Sequence, residues 1–286
     1  MKGEHPIRML CELLNVSPSG YYRWRQERPS SRQREDAAIA AKIAAAHRAS
    51  RGTYGAPRIL ADLREEGTRT SKRRCARLMR EQGLQGKKKH RRKPRTTDSR
   101  HAKPVAENII AMRPAPTGPN QSWLTDITYI ETAEGWLYLA AILDLWSRRI
   151  VGWACGPTLH ACLVLAALHD ALKRRRPPKG LLHHSDRGSQ YVDEDYIKAL
   201  SAAGIERSMS RAGNCFDNAA MESFWSSLKS DTGLDESIPA SRRHADLAVF
   251  DYIETFYNPR RRHSSLGYLS PVAFENRQKL NNTKAA

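Results

Sequence analysis

The sequence predicts an α/β domain, built on a mixed five-stranded sheet flanked by helices and preceded by an all-α region. From Trp123 onward, short runs rich in β-branched and aromatic residues alternate with runs of helical spacing. Before about residue 87, apolar residues follow helical spacing, and Ser, Pro or Gly stands at the ends of the runs. A basic stretch that contains prolines separates the two regions.

The order of elements after residue 122 predicts the topology of the sheet. We expect, in chain order, strands at 123–131, 136–145 and 148–154, a helix at 158–175, a strand at 180–185, a helix at 192–203, a strand at 204–209 and a helix that carries Glu222. Three strands joined by short turns are antiparallel, and a strand that follows a long helix is usually parallel to a neighbour. This order resembles that of the ribonuclease H-like fold.

We expect five segments: a short helical pair at 1–33, a helical domain at 34–86, a basic and Pro-rich linker at 87–119, the α/β domain at 120–277 and a tail at 278–286. The helical pair breaks at Asn15 and restarts at Ser17, which fits a small helix-turn-helix and a helical hairpin equally well. The helical domain predicts helices at about 36–49 and 57–66 and a third from Ser71 to just before Gly83.

The positive charge is concentrated in the N-terminal third. Residues 1–103 hold 27 Lys and Arg against 10 Asp and Glu, whereas residues 104–286 hold 21 against 20. This asymmetry indicates nucleic acid as the partner, ahead of a membrane surface. In the third helix of 34–86, Cys75, Leu78 and Met79 are expected to face the core. Five cations on its exposed side, with Glu81 as the only nearby acid, are candidate DNA contacts: Lys72, Arg73, Arg74, Arg77 and Arg80. The alternative is a solvated helix whose charges only confer solubility.

Residues 87–95 carry seven Lys and Arg in nine positions, so they cannot pack a core. We expect a disordered tether that DNA phosphates neutralise, or else a plain flexible spacer. A short helix is expected at Val105–Met112.

Five widely spread cysteines form no C-x-x-C pair and are read as buried thiols of a reducing cytosol. The most apolar helix, near Leu159–Leu172, is interrupted by His160, His169 and Asp170, so we expect a core helix and no membrane span. The predicted location is the cytoplasm.

Three acids on three separate elements are the candidate catalytic residues. Asp126 lies inside an apolar strand run, Asp186 follows a strand and Glu222 lies on a helix whose other face is apolar. Carboxylates in such surroundings require cations, and hard oxygen ligands favour Mg²⁺ or Mn²⁺. Two ions at these acids would suit phosphodiester displacement. The alternative for each acid alone is a surface or capping residue.

Other chemistries fit less well. Ser185 between His184 and Asp186 could suggest a Ser-His-Asp hydrolase, but neighbours on a strand point to opposite faces and no G-x-S-x-G sequence is present. No zinc spacing occurs among the His and Cys residues. Asp144 and Asp217 are expected to be structural, ending a strand and capping a helix.

The spacing of the acids, with 59 residues between the first two and 35 between the last two, resembles the D…D(35)E triad of retroviral integrases and transposases. The surrounding sequence resembles the second-frame (orfB-type) proteins of bacterial two-frame insertion-sequence transposases. Five stretches carry this resemblance: Trp123–Ile130, Ile142–Trp153, His183–Tyr191, Ser208–Phe224 and Tyr257–Tyr268.

The resemblance implies a DDE transposase that cleaves the ends of its element and transfers the 3′-OH to another DNA strand. It implies Asp126, Asp186 and Glu222 as ligands of two Mg²⁺ ions, with the strands of the two aspartates side by side. It also implies a helix-turn-helix domain within 34–86. Implied partners are the terminal inverted repeats, target DNA, further copies of the chain and a first-frame protein, joined by frameshifting. The alternative is a DNA-binding regulator of transposition without independent activity.

Two further residues of the Glu222 helix are candidate DNA contacts. Lys229 lies seven residues, about two turns, after Glu222, and Asn218 lies one turn before it. The resemblance implies that Lys229 contacts the end of the element, and the alternative is a solvated lysine near a helix end. The segment after Tyr257, with Arg260, Arg261 and Arg262, could guide DNA or close the fold.

Overall fold

The computed structural model describes residues 6–26, 29–87, 106–210 and 218–285. The chain forms two compact units, residues 1–86 and 87–286. Most of the predicted tether lies outside the described residues, as does Val105, the first residue of a predicted helix. Residues 211–216 of the predicted loop and Asp217 also lie outside them. Among the described residues, no helix combines the length and apolar character needed to cross a bilayer.

The first unit is all-helical in its described residues. Its helices are α1 (Ile7–Leu13), α2 (Pro18–Arg25), α3 (Ser31–Ala49), α4 (Ala56–Glu65) and α5 (Lys72–Glu81). The predicted N-caps are confirmed: Ser17 Oγ accepts from Gly20 N, and Ser71 Oγ accepts from Arg74 N. Gly83 follows α5 with a φ of 68°, the left-handed conformation that ends helices.

The core of the first unit lies between α3, α4 and α5. The predicted inward residues Cys75, Leu78 and Met79 are buried there, together with Ile43 and Ile59. The three helices contact one another in pairs, so the helical domain closes around this small core.

The second unit is built on one mixed sheet. Its strands are β1 (Ser122–Thr132), β2 (Gly135–Asp144), β3 (Ile150–Gly156), β4 (Leu182–Ser185) and β5 (Glu206–Met209). The spatial order is β3-β2-β1-β4-β5, with β1, β2 and β3 antiparallel and β4 parallel to β1 and β5. This arrangement confirms the predicted topology. Strands that follow a short turn are antiparallel to their neighbour, and strands that follow a connection with a helix are parallel to theirs.

Helices complete the second unit. They are α6 (Ala161–Arg175), α7 (Glu194–Ala202), α8 (Ala219–Thr232), α9 (Arg242–Phe250) and α10 (Pro271–Ala285), with a π-helix at Asp251–Tyr257 and 3₁₀ turns at Ser189–Val192 and Ser264–Leu266. The helix predicted at 192–203 therefore begins later, after a 3₁₀ turn. The described residues of the predicted tail, 278–285, lie in the last turns of α10.

Helix α6 lies directly on β3, and one glycine makes this possible. A Cβ on Gly152 would come within 2.4 Å of the Ala167 carbonyl and 2.5 Å of the Ala171 nitrogen. A side chain at this position would therefore force the helix away from the sheet.

The prediction of a helix at Val105–Met112 is wrong for the described residues 106–112, which form an irregular segment followed by a turn. The reason is that β5 uses the backbone groups of this segment. Ser208 Oγ accepts from Ile109 N at 3.0 Å, and the Glu107 carbonyl accepts from Met209 N at 3.2 Å. These bonds compete with the bonds of a helix.

A buried ion pair connects α8 to the chain that follows the π-helix. Arg261 Nε donates to Asp231 Oδ2 at 2.5 Å, and both side chains are less than 7% exposed. The hydroxyl of Tyr252, in the π-helix, donates to the same oxygen at 2.8 Å. Of the two roles considered for the arginine-rich segment, Arg261 therefore serves to close the fold.

We expect Arg261→Met to lower the free energy of unfolding by about 3–5 kcal/mol, because it leaves the Asp231 carboxylate buried beside an apolar side chain. Urea denaturation followed by circular dichroism measures this. The control is Lys198→Met, which removes the exposed pair with Glu194 and should change the value by less than about 1 kcal/mol. Equal effects of the two substitutions would contradict the structural role of the buried pair.

Candidate active site

The parallel pairing of β1 with β4 determines where the two candidate aspartates meet. Ser122 pairs with Leu182 and Leu124 pairs with His184, a constant offset of 60 residues. Continuing that offset by two residues places Asp126 level with Asp186, which directly follows β4. Asp126, within β1, and Asp186, just after β4, therefore lie on neighbouring strands, as the resemblance implies.

Asp126 is half-buried and both of its carboxylate oxygens accept hydrogen bonds. Trp225 Nε1 donates to Oδ2 at 2.9 Å, and Ile127 N donates to Oδ1 at 2.9 Å. Burial raises the pKa of Asp126 to about 7, and the negative charges of Asp186 and Glu222 add to this effect. The carboxylate is thus costly to keep charged without a nearby cation.

Asp186 lies in a turn that backbone hydrogen bonds hold in place. Its Oδ1 accepts from Gly188 N at 2.9 Å, and Ser185 Oγ donates to its carbonyl. The next residue, Arg187, donates from Nε to the Ser210 carbonyl at 2.8 Å. The turn after β4 is therefore tied to the chain that follows β5.

Glu222 lies in the first turn of α8 and is exposed. The opposite face of α8 is buried through Met221, Phe224 and Leu228, which confirms the predicted orientation of the helix. The charge of Glu222 makes only a small contribution to the raised pKa of Asp126, after burial and the charge of Asp186.

The three acids fit a hard divalent cation by their chemistry. All are carboxylates, and the like charges around Asp126 raise its pKa in a way that a cation would reverse. In the part of the chain that the structure describes, no three His, Cys, Asp or Glu side chains form a group close enough to hold a metal ion.

The two histidines before Asp186 contact structural partners. His183 Nε2 lies 3.2 Å from the Tyr196 hydroxyl, and His184 Nδ1 lies 2.9 Å from Ser208 Oγ. Both histidines are buried. Burial lowers the pKa of His183 to about 3, so this ring is neutral at physiological pH.

Sequence reasoning missed two residues beside the acids. The helical spacing of α8 places Trp225 with its apolar residues, yet the indole N–H of Trp225 donates to Asp126. Tyr191 is buried, and its pKa is raised well above the ordinary value by burial and by the charges of Asp186 and Asp126. The position of Trp225 three residues after Glu222 could have indicated its role, because residues three apart share a helix face.

The side chain of Lys229 is not fully exposed to solvent. It is half-buried, and its Nζ donates to the Tyr129 carbonyl of β1 at 2.8 Å. Burial lowers its pKa. Asn218 precedes α8 without a side-chain cap hydrogen bond, and its buried Oδ1 has no hydrogen-bond partner among the described residues.

The prediction that Glu81 is the only acid near the cations of α5 is wrong. Arg74 Nε donates to Asp36 Oδ1 at 2.6 Å, and Arg77 donates to Asp36 Oδ2 at 2.7 Å. Asp36 lies on α3, so its proximity depends on helix packing that sequence spacing does not reveal. Lys72, Arg73 and Arg80 are exposed.

Asp144 has the expected structural role at the end of β2. Its carboxylate accepts from the backbone nitrogens of Asn120, Trp146 and Ser147 and pairs with Arg175 at 3.7 Å. These bonds fix the turn between β2 and β3.

Comparisons with known proteins agree with this architecture. Two models described as an integrase core domain match residues 116–215 and 203–271, and an HTH-like domain model matches residues 33–93. The 31 kDa protein of insertion element IS600 from Shigella sonnei is 46% identical over 265 residues, 93% of this chain and 97% of that protein. Transposase InsF for insertion sequence IS3A from Escherichia coli K12 is 41% identical over 278 residues, 96% of each chain.

The chain belongs to the insertion-sequence transposases. The integrase core of this transposase spans the sheet, α8 and the three acids, and the HTH-like region spans α3, α4 and α5. It is an enzyme of the DDE transposase and integrase class.

The transposase also resembles solved retroviral integrases at low similarity. The HTLV-2 integrase catalytic core domain in complex with magnesium has a TM-score of 0.43 and 15% identity, covering 56% of this chain and 98% of that one. The catalytic core domain of BIV integrase has a TM-score of 0.42 and 17% identity, covering 58% and 99%.

The depressed pKa of His183 predicts a pH-dependent stability. Between pH 6.5 and about 3 the unfolded chain binds a proton at His183 that the folded chain does not, so stability falls as pH falls through this range. In urea denaturation, His183→Gln should be destabilising at pH 8, because it loses the Tyr196 contact, and its deficit should narrow toward pH 4. His169→Gln, at an exposed position, is the control. Parallel curves for wild type and His183→Gln would contradict this account.

Proposed function

We propose that this transposase cleaves one strand at each end of its mobile element and joins the freed 3′-OH to another DNA strand. Asp126, Asp186 and Glu222 form the catalytic site and hold the divalent metal. The observation that carries the proposal is that the pairing of β1 with β4 brings Asp126 level with Asp186, where burial first, and then the charges of Asp186 and Glu222, raise the pKa of Asp126. A half-buried carboxylate among like charges suits a site that works with cations bound.

The chemistry of the reaction requires an attacking oxygen and a leaving oxygen at one phosphorus. Two Mg²⁺ or Mn²⁺ ions, when bound, would activate the first and stabilise the second. Asp126 would supply a ligand from within β1, Asp186 one from the turn after β4 and Glu222 one from the first turn of α8. The attacking group is water during cleavage and the 3′-OH of the element during joining.

The partners follow from the charge and from the family. Lys72, Arg73 and Arg80 on α5, with the basic segment from Lys87 on, are proposed to bind the terminal inverted repeats and target DNA. The proposed assembly contains several copies of the chain and a first-frame protein that further contacts the repeats. Since the substrate is bacterial DNA, we place the enzyme in the cytoplasm on the nucleoid.

We expect Glu222→Gln to abolish cleavage and joining while leaving the affinity for element ends in EDTA nearly unchanged. The substitution removes an anionic ligand from an exposed position and keeps the size of the side chain. Gel assays on labelled element ends with Mg²⁺ measure both reactions. Glu194→Gln, on the exposed start of α7, should retain full activity.

Strand transfer at the wild-type rate in Glu222→Gln would remove Glu222 from the site. Absence of Mg²⁺-dependent cleavage in the wild-type chain, with intact DNA binding, would favour the regulator over the enzyme. Adding the first-frame protein to that assay separates an inactive chain from one that requires its partner.

We expect the triple substitution Lys72→Gln, Arg73→Gln, Arg80→Gln to weaken duplex DNA binding. If each cation contacts a phosphate, the slope of log affinity against log salt should become shallower by about 3. The slope is measured by fluorescence anisotropy at salt concentrations between about 50 and 300 mM, a range over which electrostatic screening changes strongly. Arg74→Gln and Arg77→Gln, whose guanidinium groups pair with Asp36, should affect stability more than the slope. An unchanged slope in the triple variant would exclude this face of α5 as the contact surface.

A further inference from the structure

The turn between α4 and α5 forms an open pocket on the helical domain. The pocket has a volume of about 290 Å³ and is lined by residues from the end of α4 and from the turn: Arg64, Gly67, Thr68, Arg69 and Thr70. Lys42 of α3 reaches the same turn, since its Nζ donates to Thr68 Oγ1 at 2.7 Å. Three cations and two hydroxyl groups therefore surround the pocket.

The positive charge of the pocket is not balanced by the protein. Within the described ranges, no ion pair joins any of the three cations to an acid. Glu65 and Glu66 follow Arg64 in the sequence, but neither lines the pocket. Two arginines of the neighbouring α5, by contrast, both pair with Asp36. Because like charges around one pocket repel each other, an anion bound there would lower the electrostatic free energy.

The hydroxyl group of Thr70 lacks a partner in the same pocket. Its Oγ1 is shielded from solvent and forms no hydrogen bond in the part of the chain that the structure describes. Shielded hydroxyl groups are normally paired, and leaving one unpaired costs free energy. Because Thr70 lines the pocket, an oxyanion bound there would accept the missing hydrogen bond.

Backbone and capping hydrogen bonds hold the turn in one conformation. Gly67 ends α4 with a φ of 77°, and Thr68 N donates to the Leu63 carbonyl at 2.8 Å. Thr70 directly precedes Ser71, whose side chain caps α5. An anion in the pocket would therefore have a fixed position relative to the start of α5.

We propose that this pocket binds one backbone phosphate of duplex DNA and thereby fixes where α5 contacts the duplex. The inference rests on the proposed function in taking DNA as the substrate. Guanidinium, ammonium and hydroxyl groups are the side-chain donors that proteins use for DNA phosphates. A phosphate contact carries no sequence information, but it orients the protein on the duplex. The pocket would thus set the register of Lys72 and Arg73, which begin α5.

The first measurement is the salt dependence of duplex binding by the full chain in EDTA. Because both arginines would contact the same phosphate, Arg64→Gln combined with Arg69→Gln should make the slope of log affinity against log salt shallower by about 1, not about 2. The control, Lys173→Gln combined with Arg243→Gln, removes two exposed cations outside the helical domain and should leave the slope at the wild-type value.

A slope that is shallower by about 2 would indicate two separate phosphate contacts and would overturn the single site. An unchanged slope would exclude the pocket from the contact surface and would also overturn the proposal.

The second measurement compares stability with DNA affinity in Thr70→Val, which removes the unpaired hydroxyl and keeps the shape of the side chain. Without DNA, this variant should melt at or above the wild-type temperature, since it loses a shielded polar atom that has no partner. Its affinity for duplex DNA should nevertheless fall about tenfold, because the phosphate loses a donor. Thr70→Ser should restore most of the affinity. Thr158→Val, at an exposed position of the second unit, should change neither quantity.

Unchanged DNA affinity in Thr70→Val would contradict the proposal. A lower melting temperature in this variant, with a parallel loss of affinity, would make Thr70 a structural residue and would contradict it as well.

The third measurement locates the phosphate. A series of element-end duplexes, each with one uncharged methylphosphonate, identifies the phosphates whose charge the wild-type chain requires. At one of these positions, the loss of affinity should disappear in the Arg64→Gln, Arg69→Gln variant, because the variant no longer contacts that phosphate. If the variant retains the loss at every position, the pocket does not hold a backbone phosphate.

Inorganic phosphate tests the other source of the same anion. If millimolar phosphate stabilises the DNA-free wild-type chain but not the double variant, and the methylphosphonate pattern is the same for both, the pocket is a site for free phosphate and the proposal is overturned. Failure of the proposed function is a different result, in which Glu222→Gln retains strand transfer, whereas DNA binding in EDTA does not depend on any reaction.

Discussion

Parallel pairing between β1 and β4 is the constraint on which the proposed catalytic site of this transposase depends. It places two carboxylates side by side where both are partly withdrawn from water, an arrangement that opposes its own ionisation. The fold tolerates this arrangement because the electrostatic cost is confined to one part of the sheet. An apolar core supports the sheet beside it, with Ile142, Val151 and Leu168 fully packed between β2, β3 and α6.

The surrounding contacts keep the acidic end rigid while its charges repel. Asp126 is held by a backbone N–H and an indole, and Asp186 by the turn that Gly188 and Arg187 fix. The buried pair of Asp231 and Arg261 fastens the far end of α8 to the C-terminal segment. Preorganised ligands lower the cost of binding a cation, because little rearrangement is needed when it arrives.

The sequence predicts the sheet well because the lengths of connections and the burial of strands are local properties. The directions of the strands, the caps at Ser17 and Ser71 and the apolar stripe of α8 all follow from such patterns, whereas the pairing of β1 with β4 was implied only by the family resemblance. The ion pairs of Asp36 and the bond from Lys229 to Tyr129 join residues 38 or more positions apart, so no local pattern contains them. Residues 106–112 are the opposite case. Their local pattern predicts a helix, but their contacts with β5 prevent that helix from forming.

The pairing of Arg74 and Arg77 with Asp36 also limits what a count of charges can say about the surface of the helical domain. Two of the five cations on α5 are part of its architecture, where they join the helix to α3. The number of basic residues in this domain is therefore greater than the number available to exchange counterions with a polyanion. Substitutions made to improve solubility or crystallisation should accordingly spare these two arginines and draw on Lys72, Arg73 and Arg80, whose side chains are exposed.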